Sequence, residues 1–379
     1  MREQPRHGEG QRRHVAQQRR RARPEHVRRL RHADAGHQAQ AQHAGSPRGP
    51  DRLACVVGQI AEMSEPTLAG GDVLVQVHAA SVNALDVKIR NGEFKLILPY
   101  TLPLALGNDV AGVVLEVGAN VTRFKPGDEV YARPHPSRIG TFAERIAIEQ
   151  SYVAAKPVNL TMVQAASLPL VALTAWQVLV ETAKVKPGQK VLIHAGSGGV
   201  GTVAIQLAKH LGAYVATTTS TANVEWLKAL GADQVIDYTA QDFARELQDY
   251  DVVLNSLGSD VLSQSVKVLK RGGQLISISG PPTLAFAASQ GLGWPLKQLM
   301  RLLSYRIRKQ VSQQGCSYDF VFMRADGEQL ADISQLVESG VITPVIDTVY
   351  PFAKIADALA HVRNGRAKGK VVIQMQPPA

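Results

Sequence analysis

A glycine-rich turn between an apolar strand and an amphipathic helix constrains this chain more than any other feature. The turn reads His194-Ala195-Gly196-Ser197-Gly198-Gly199-Val200-Gly201. Lys190-Val191-Leu192-Ile193 before it has the texture of a buried strand. Thr202 to Lys209 after it continues a helix with Val200, Ala204, Leu207, Ala208 and Leu211 on one face. Gly196, Gly198 and Gly201 fit the spacing G-x-G-x-x-G. The first glycine permits a tight turn, the second lets backbone approach a pyrophosphate, and the third lets helix and strand pack closely. Free N–H groups at the helix start, at the positive end of its dipole, then hold phosphates. Without the strand and helix around it the spacing is only a turn; within them it predicts a dinucleotide site.

With 379 residues the chain exceeds the size at which one core stops growing, so two domains are expected. An apolar share of 45% suits a globular enzyme rather than a disordered or fibrous chain. Two cysteines, Cys55 and Cys316, make neither a disulfide framework nor a four-cysteine zinc site, and reduced thiols suit a cytoplasmic protein. The net charge of +10 is concentrated at one end. Residues 1–52 hold thirteen Arg against five acids and almost no large apolar side chain. Such a segment cannot bury enough surface to offset ordering, so it reads as a disordered and non-native extension. Arginine runs neutralise phosphates, so this tail is also the one place where nucleic acid would bind. The uncharged stretches 157–180 and 272–296 are interrupted by proline and polar residues, and read as buried elements rather than membrane spans.

From Asp72 short strands alternate with glycine turns. Val73–Ala79, Val110–Gly118 and Glu144–Ile148 are strands, and Lys125-Pro126-Gly127-Asp128-Glu129-Val130 turns into another. This half predicts an antiparallel, barrel-like β domain. Between about Val171 and Gly280, strands at Val191–Ile193, Tyr214–Thr218, Gln234–Ile236, Asp251–Leu254 and Gln274–Ser279 alternate with helices, the pattern of a doubly wound parallel sheet. Helices near Glu328–Glu338 and Lys354–Val362 and a strand Lys370–Met375 then return to the first domain.

An NAD enzyme usually places an acid at the end of the second strand, on the ribose hydroxyl. Here that strand ends Thr217-Thr218-Thr219-Ser220-Thr221-Ala222-Asn223. A neutral, hydroxyl-rich end tolerates a 2′-phosphate, so NADP is favoured; the same hydroxyls would also cap the helix that follows. A catalytic zinc needs three protein ligands. Before the dinucleotide turn the β domain offers only Cys55, His78 and His135 as soft ligands, at no motif spacing, so no metal is expected.

These motifs together resemble the medium-chain dehydrogenase/reductase superfamily, in its zinc-independent quinone-oxidoreductase and ζ-crystallin-like branch. The resemblance runs from about Glu62 to Met375. It is carried by Ser81-Val82-Asn83-Ala84-Leu85-Asp86, Leu98-Pro99-Tyr100, Leu106-Gly107-Asn108-Asp109-Val110-Ala111-Gly112, the Phe124–Val130 turn, Ala166–Pro169 with Leu173–Trp176, the Ala195–Gly201 loop and Gly369-Lys370-Val371-Val372. It implies an α/β chain with a GroES-like β-barrel catalytic domain over 53–170 and 316–379 and a Rossmann NADP-binding domain over 171–315. Zinc-dependent relatives place a Cys near Asn83 and a His at Asn108. The family's opening strand has no match before about Gln59, so that strand is expected to be missing or altered.

The resemblance also implies roles. Gly196, Ser197, Gly198, Gly199, Val200 and Gly201 would hold the pyrophosphate, and Ser220 and Tyr238 the 2′-phosphate, with Asn223 where some relatives have Lys. Asn255, Ser256, Leu257, Ile278, Ser279 and Gly280 lie at strand ends, and Thr174, Phe322, Lys368 and Gly369 match further NADP(H)-lining positions. Catalysis would be hydride transfer to a quinone or an α,β-unsaturated carbonyl, with Tyr100 and Asn83 as candidate donors to the acceptor oxygen. Enoyl thioester reduction, or a mainly non-catalytic binding role, are the alternatives. A homodimer with a small-molecule substrate and no membrane partner is expected. Trp294 to Gln310 carries Leu296, Leu299, Leu303 and Ile307 at helical spacing with five basic residues elsewhere; such a helix can lie on a membrane or hold an acidic substrate, but reads here as one packed on the sheet with a solvated basic face.

Overall fold

A computed structural model describes residues 52–56, 58–93, 95 and 100–375. The Arg-rich segment 1–51, with its expected disorder and nucleic-acid reading, lies outside the described residues.

The described residues open with an antiparallel pair, β1 (Arg52–Val56) and β2 (Gln59–Met63). The Cys55 N–H donates to the Phe142 carbonyl (2.7 Å), and the Cys55 carbonyl accepts from Leu106 N–H (3.0 Å). Ala54 and Cys55 are fully buried. The opening strand is therefore present, with a sequence unlike the family's usual one, and it starts at the last residue of the segment assigned to the extension. Backbone pairing needs no sequence motif, only a chain that can extend and small or apolar side chains facing inward.

The first lobe is built on β3 (Asp72–Val82), β4 (Asp109–Val117), β5 (Glu129–Ala132), β6 (Arg145–Glu149) and β7 (Val153–Ala155). Alternation places Val73, Val75 and Val77 in the core. One edge of β3 pairs with β4 along its length; the other pairs with β6 over its first half. The parallel sheet of the second lobe comprises β8 (Lys190–Ile193), β9 (Tyr214–Thr219), β10 (Gln234–Asp237), β11 (Tyr250–Asn255), β12 (Leu269–Ser277) and β13 (Ser317–Phe320). Its order is β10-β9-β8-β11-β12-β13, so the chain reverses direction across the sheet between β8 and β11, where doubly wound folds bind ligands. β13 pairs with β12 beyond the boundary expected at residue 315, so the nucleotide sheet extends further than the sequence indicated. The chain then returns through β14 (Ile346–Pro351) and β15 (Lys370–Gln374), and β15 joins the second half of β3. β14 and β15 run parallel, the exception in an otherwise antiparallel sheet.

A backbone staple joins the lobes. Gly369 N–H donates to the Ser197 carbonyl (2.8 Å), and Gly198 and Gly369 form an isolated bridge. Gly369 sits at φ +76°, where a Cβ would stand 2.2 Å from the Val345 carbonyl oxygen, so only glycine serves.

Behind the loop, His194 is buried between β8 and the helix Ser259–Ser265. Ser265 Oγ donates to the Val261 carbonyl (2.7 Å), so it accepts from His194 Nε2 (2.9 Å), and Nδ1 accepts from Thr218 Oγ1 (3.1 Å). Burial pushes the imidazole pKa from 6.5 down to about 3. The unfolded chain takes up a proton here below its own pKa while the folded chain does not, so stability is lost as pH falls from about 6.5. Urea unfolding of the wild type and His194→Gln at pH 7 and pH 5 should show the wild type's advantage narrowing by about 2 kcal/mol at the lower pH.

Candidate active site

A cleft of about 610 Å³ lies between the lobes, large enough for a dinucleotide's reactive end and a small acceptor. Its floor on the nucleotide side is the start of the helix Gly199–His210, with Gly198 as the N-cap. Gly198, Gly199, Val200 and Gly201 all line it, while Gly196 and Ser197 are not among its lining residues. The first glycine is required for a different reason than a tight turn. A Cβ on Gly196 would stand 2.0 Å from Thr217 Oγ1 on β9, and one on Gly201 would stand 2.4 Å from the Ala195 carbonyl oxygen. A Cβ on Gly198 would meet only the Ala195 carbonyl oxygen, at 3.4 Å, and otherwise open space. The backbone there is bare where a pyrophosphate would approach, so the loop fits the dinucleotide.

The residues expected to meet the adenosine end stand where β9 and β10 stop. Ser220 Oγ accepts from Asn223 Nδ2 (3.2 Å), and Asn223 Oδ1 accepts from Trp226 Nε1 (3.1 Å), so Asn223 is committed to its own turn. Tyr238 is 63% exposed. One acid does stand here, on the neighbouring strand: Asp237 pairs opposite Thr219. Hydrogen bonds from Thr221 and Thr239 hold its carboxyl below the usual range and turn it into its own loop. Ser220→Asp would put a carboxylate at the end of β9. It should lower kcat/KM for NADPH relative to NADH by about tenfold or more, since each 1.4 kcal/mol of lost phosphate affinity is tenfold.

Other expected positions divide between the cleft and its supports. Ser256, Ile278, Ser279, Gly280, Phe322 and Gly369 line the cleft. Thr174 lines it too, though its hydroxyl donates back to the Leu170 carbonyl (2.7 Å). Asn255 is fully buried behind them, donating to the Leu257 carbonyl (2.9 Å) with Oδ1 left unpartnered. Ser197 Oγ accepts from Thr219 (3.2 Å), and Lys368 N–H donates to Asp347 (3.0 Å).

The barrel side holds a buried polar network that the sequence reading did not assemble. Lys370 Nζ, nearly buried at the start of β15, donates to Asn83 Oδ1 and to Asp109 Oδ2 (3.2 Å). Asp109 also accepts from Ser81 Oγ (2.7 Å), Asn83 Nδ2 (2.8 Å) and Leu170 N–H (2.7 Å). Asp86 accepts from Asn83 N–H (2.7 Å), half of a capping box for the helix Ala84–Arg90, and from Asn108 Nδ2 (2.6 Å). Burial raises its pKa to about 6. Arg133 is 1% exposed; it donates to the Pro134 carbonyl (2.6 Å) and its Nε has no partner. Burial lowers its pKa to about 10, with the carboxylates of Asp109 and Asp86 opposing the shift. Lys370, Arg133 and Asn83 all line the cleft.

Both expected donors are therefore placed differently. Asn83 has both amide hydrogens engaged, by Asp109 and by the Ser81 carbonyl (3.4 Å), so it positions Lys370 rather than reaching an acceptor. Tyr100 is not among the cleft-lining residues. Its hydroxyl donates to the Pro136 carbonyl (2.7 Å), and burial pushes its pKa up to about 12. Nothing local in the sequence signals that carbonyl.

Residues 69–158 match the alcohol dehydrogenase GroES-like domain family and residues 230–373 the zinc-binding dehydrogenase family. The chain is similar to the mitochondrial NAD(P)H oxidoreductase RTN4IP1 of Bos taurus, 37% identical over 325 residues, covering 80% of this chain and 82% of that protein. It is 38% identical over 325 residues to the 2-methylene-furan-3-one reductase of Solanum lycopersicum, covering 82% and 74%. The quinone oxidoreductase of Coxiella burnetii superposes with a TM-score of 0.75 at 30% identity, covering 86% of this chain and 98% of that one. The second family's name implies a zinc ion, and the donor set here does not fit one. Asn83 and Asn108 present amides that are bonded to Asp109 and Asp86, and the cation held by Asn83 and Asp109 is the Lys370 ammonium. Among the described residues no three His, Cys, Asp or Glu side chains are grouped to hold a metal. Lobes, loop and relatives agree: the chain belongs to the medium-chain dehydrogenase/reductase superfamily, in its branch of NAD(P)H-dependent, quinone-oxidoreductase-like enzymes.

Proposed function

We propose that the cleft reduces quinones or α,β-unsaturated carbonyls, with Lys370 and Arg133 stabilising the negative charge that develops on the acceptor oxygen. NADPH, its phosphates on the Gly196–Gly201 loop, supplies the hydride. The observation that carries this reading is the pair of buried cations on the cleft wall. Lys370 has three donors and uses two on Asn83 and Asp109, and Arg133 keeps its Nε unpartnered. A preorganised donor in a site shielded from water lowers the barrier where charge appears, and losing one costs about a hundredfold or more. Asn83 and Asp109 are positioning residues that fix the ammonium. Leu85, Leu170, Phe286, Phe320 and Phe322 supply an apolar wall suited to a flat conjugated acceptor. The remaining proton comes from solvent, since the Tyr100 hydroxyl is held on Pro136.

The names of the bovine, tomato and Coxiella relatives support the acceptor class. NADPH oxidation by the purified protein should be measured across quinones, alkenals and enoyl thioesters. Turnover with the first two groups is expected, and no oxidation above background with any acceptor would sink the reading. A homodimer is part of the proposal, because β13 is the outer strand of the parallel sheet and a second copy can extend it. A reducing, cytoplasmic setting suits Cys55 and Cys316, both unpaired thiols. No helix among the described residues is long and apolar enough to cross a membrane.

A further inference from the structure

We infer that the helices Trp294–Leu303 and Tyr305–Gln313 dock this protein on the surface of an anionic phospholipid bilayer. The two helices link β12 to β13 and are held to the protein by one stripe. Met300, Ser304, Ile307 and Val311, at three- and four-residue spacing, are buried. Leu299, Leu302 and Leu303 form a second stripe at the same spacing, and they are 44%, 71% and 53% exposed. Trp294 (73%), at the start of the first helix, and Tyr305 (57%), at the start of the second, are exposed as well. The sequence placed Leu299 and Leu303 on the packed face; the structure turns them outward. Leu299, Leu302 and Leu303, with two further exposed rings on the same short helices, make an apolar face rather than a lone exposed side chain.

Charge selects what covers the patch. No Asp or Glu occurs between Asp260 and Asp319, while Lys267, Lys270, Arg271, Lys297, Arg301, Arg306, Arg308 and Lys309 fall inside that interval. None of the five basic residues on the two helices forms an ion pair with a described residue. A second copy of this face would bring five cations against five with no acid between them, so self-association through it is disfavoured. A bilayer of anionic lipids answers both features at once. Leucines enter the acyl boundary, Trp and Tyr rings sit at headgroup depth, and Lys and Arg reach the phosphates along their own stems. Helices of ten and nine residues lie in such an interface rather than cross it. The face also backs the cleft: Met300 packs in one cluster with Phe286, which lines the cleft wall. The inference does not depend on which acceptor the cleft takes.

The test uses the full chain with vesicles of phosphatidylcholine alone and of phosphatidylcholine mixed with phosphatidylglycerol. Cosedimentation is expected with the mixed vesicles, weakening as salt is raised. Tryptophan emission should shift to the blue on binding, and Trp294→Phe should abolish the shift. Combining Trp294→Ser, Leu302→Ser and Leu303→Ser should lower vesicle affinity by about tenfold or more, while NADPH oxidation with a water-soluble quinone is unchanged. Three results would overturn the inference. One is equal vesicle binding by the triple variant, which would assign it to the Arg-rich residues 1–51. Another is no binding to either vesicle. The third is a solution oligomer that the triple variant dissolves, which would make this a face between copies.

Discussion

Replacing Lys370 with methionine is expected to lower kcat for an enone or a quinone by about a hundredfold, with NADPH affinity changed by less than about tenfold. Methionine keeps most of the stem that packs against Gly199, where a glycine Cβ would lie 2.7 Å from Lys370 Cδ, so the phosphate loop keeps its support. What disappears is the ammonium. Asp109 retains Ser81, Asn83 and Leu170 as donors but loses its buried counter-charge. Breaking a buried pair by removing one partner is strongly destabilising, and with three donors left about 3 kcal/mol is expected. Steady-state kinetics on folded variant, with NADPH binding measured separately, separates the two effects. A folded Lys370→Met enzyme with kcat within about threefold of wild type would remove the ammonium from the chemistry.

Gly196→Ala is expected to weaken NADPH binding by about a hundredfold and to lower the Tm, because the new methyl has nowhere to go. It would stand 2.0 Å from Thr217 Oγ1 and 3.0 Å from Thr217 Cβ. Thr217 is fully buried and donates to the Ile193 carbonyl (2.7 Å), so it cannot rotate away without losing that bond. The loop or β9 must shift, and overpacking of this kind costs about 1–3 kcal/mol before any loss of binding. Adding Thr217→Ala should recover part of both losses. Gly198→Ala is the contrasting case. Its methyl meets only the Ala195 carbonyl oxygen at 3.4 Å, so the Tm should hold while the KM for NADPH rises by about tenfold. Differential scanning calorimetry and NADPH titration of the three variants test the pattern, and wild-type NADPH affinity in Gly196→Ala would contradict it.

The parts of this site that read clearly from sequence are those made by neighbours in the chain. Strand, glycine loop and helix at 190–210 form one local unit, and the hydroxyl-rich end of β9 follows in the very next strand. Lys370 and Asp109 are 261 residues apart and meet only because β15 returns to pair with β3. A faint signal did exist. Lys370 opens an otherwise apolar strand, Arg133 follows another, and Asp86 and Asp109 stand in short motifs among buried residues; a charge in such a place needs a partner. The resemblance put Tyr100 beside the acceptor, and no motif shows that its hydroxyl is bonded to a carbonyl 36 residues further on. Helical spacing across Trp294–Gln310 picked out one apolar face, and periodicity alone cannot say which of its side chains pack: Ile307 is buried, Leu299 and Leu303 are exposed.

Hydride delivery to the acceptor carbon without a metal can be followed with deuterium. NADPH labelled with deuterium at nicotinamide C4 on the transferred face, given to the protein with an alkenone in chelator-containing buffer, should yield saturated ketone carrying one deuterium at the β-carbon. NADPH consumption without deuterium at that carbon, or turnover that stops on chelation and returns with zinc, would contradict it.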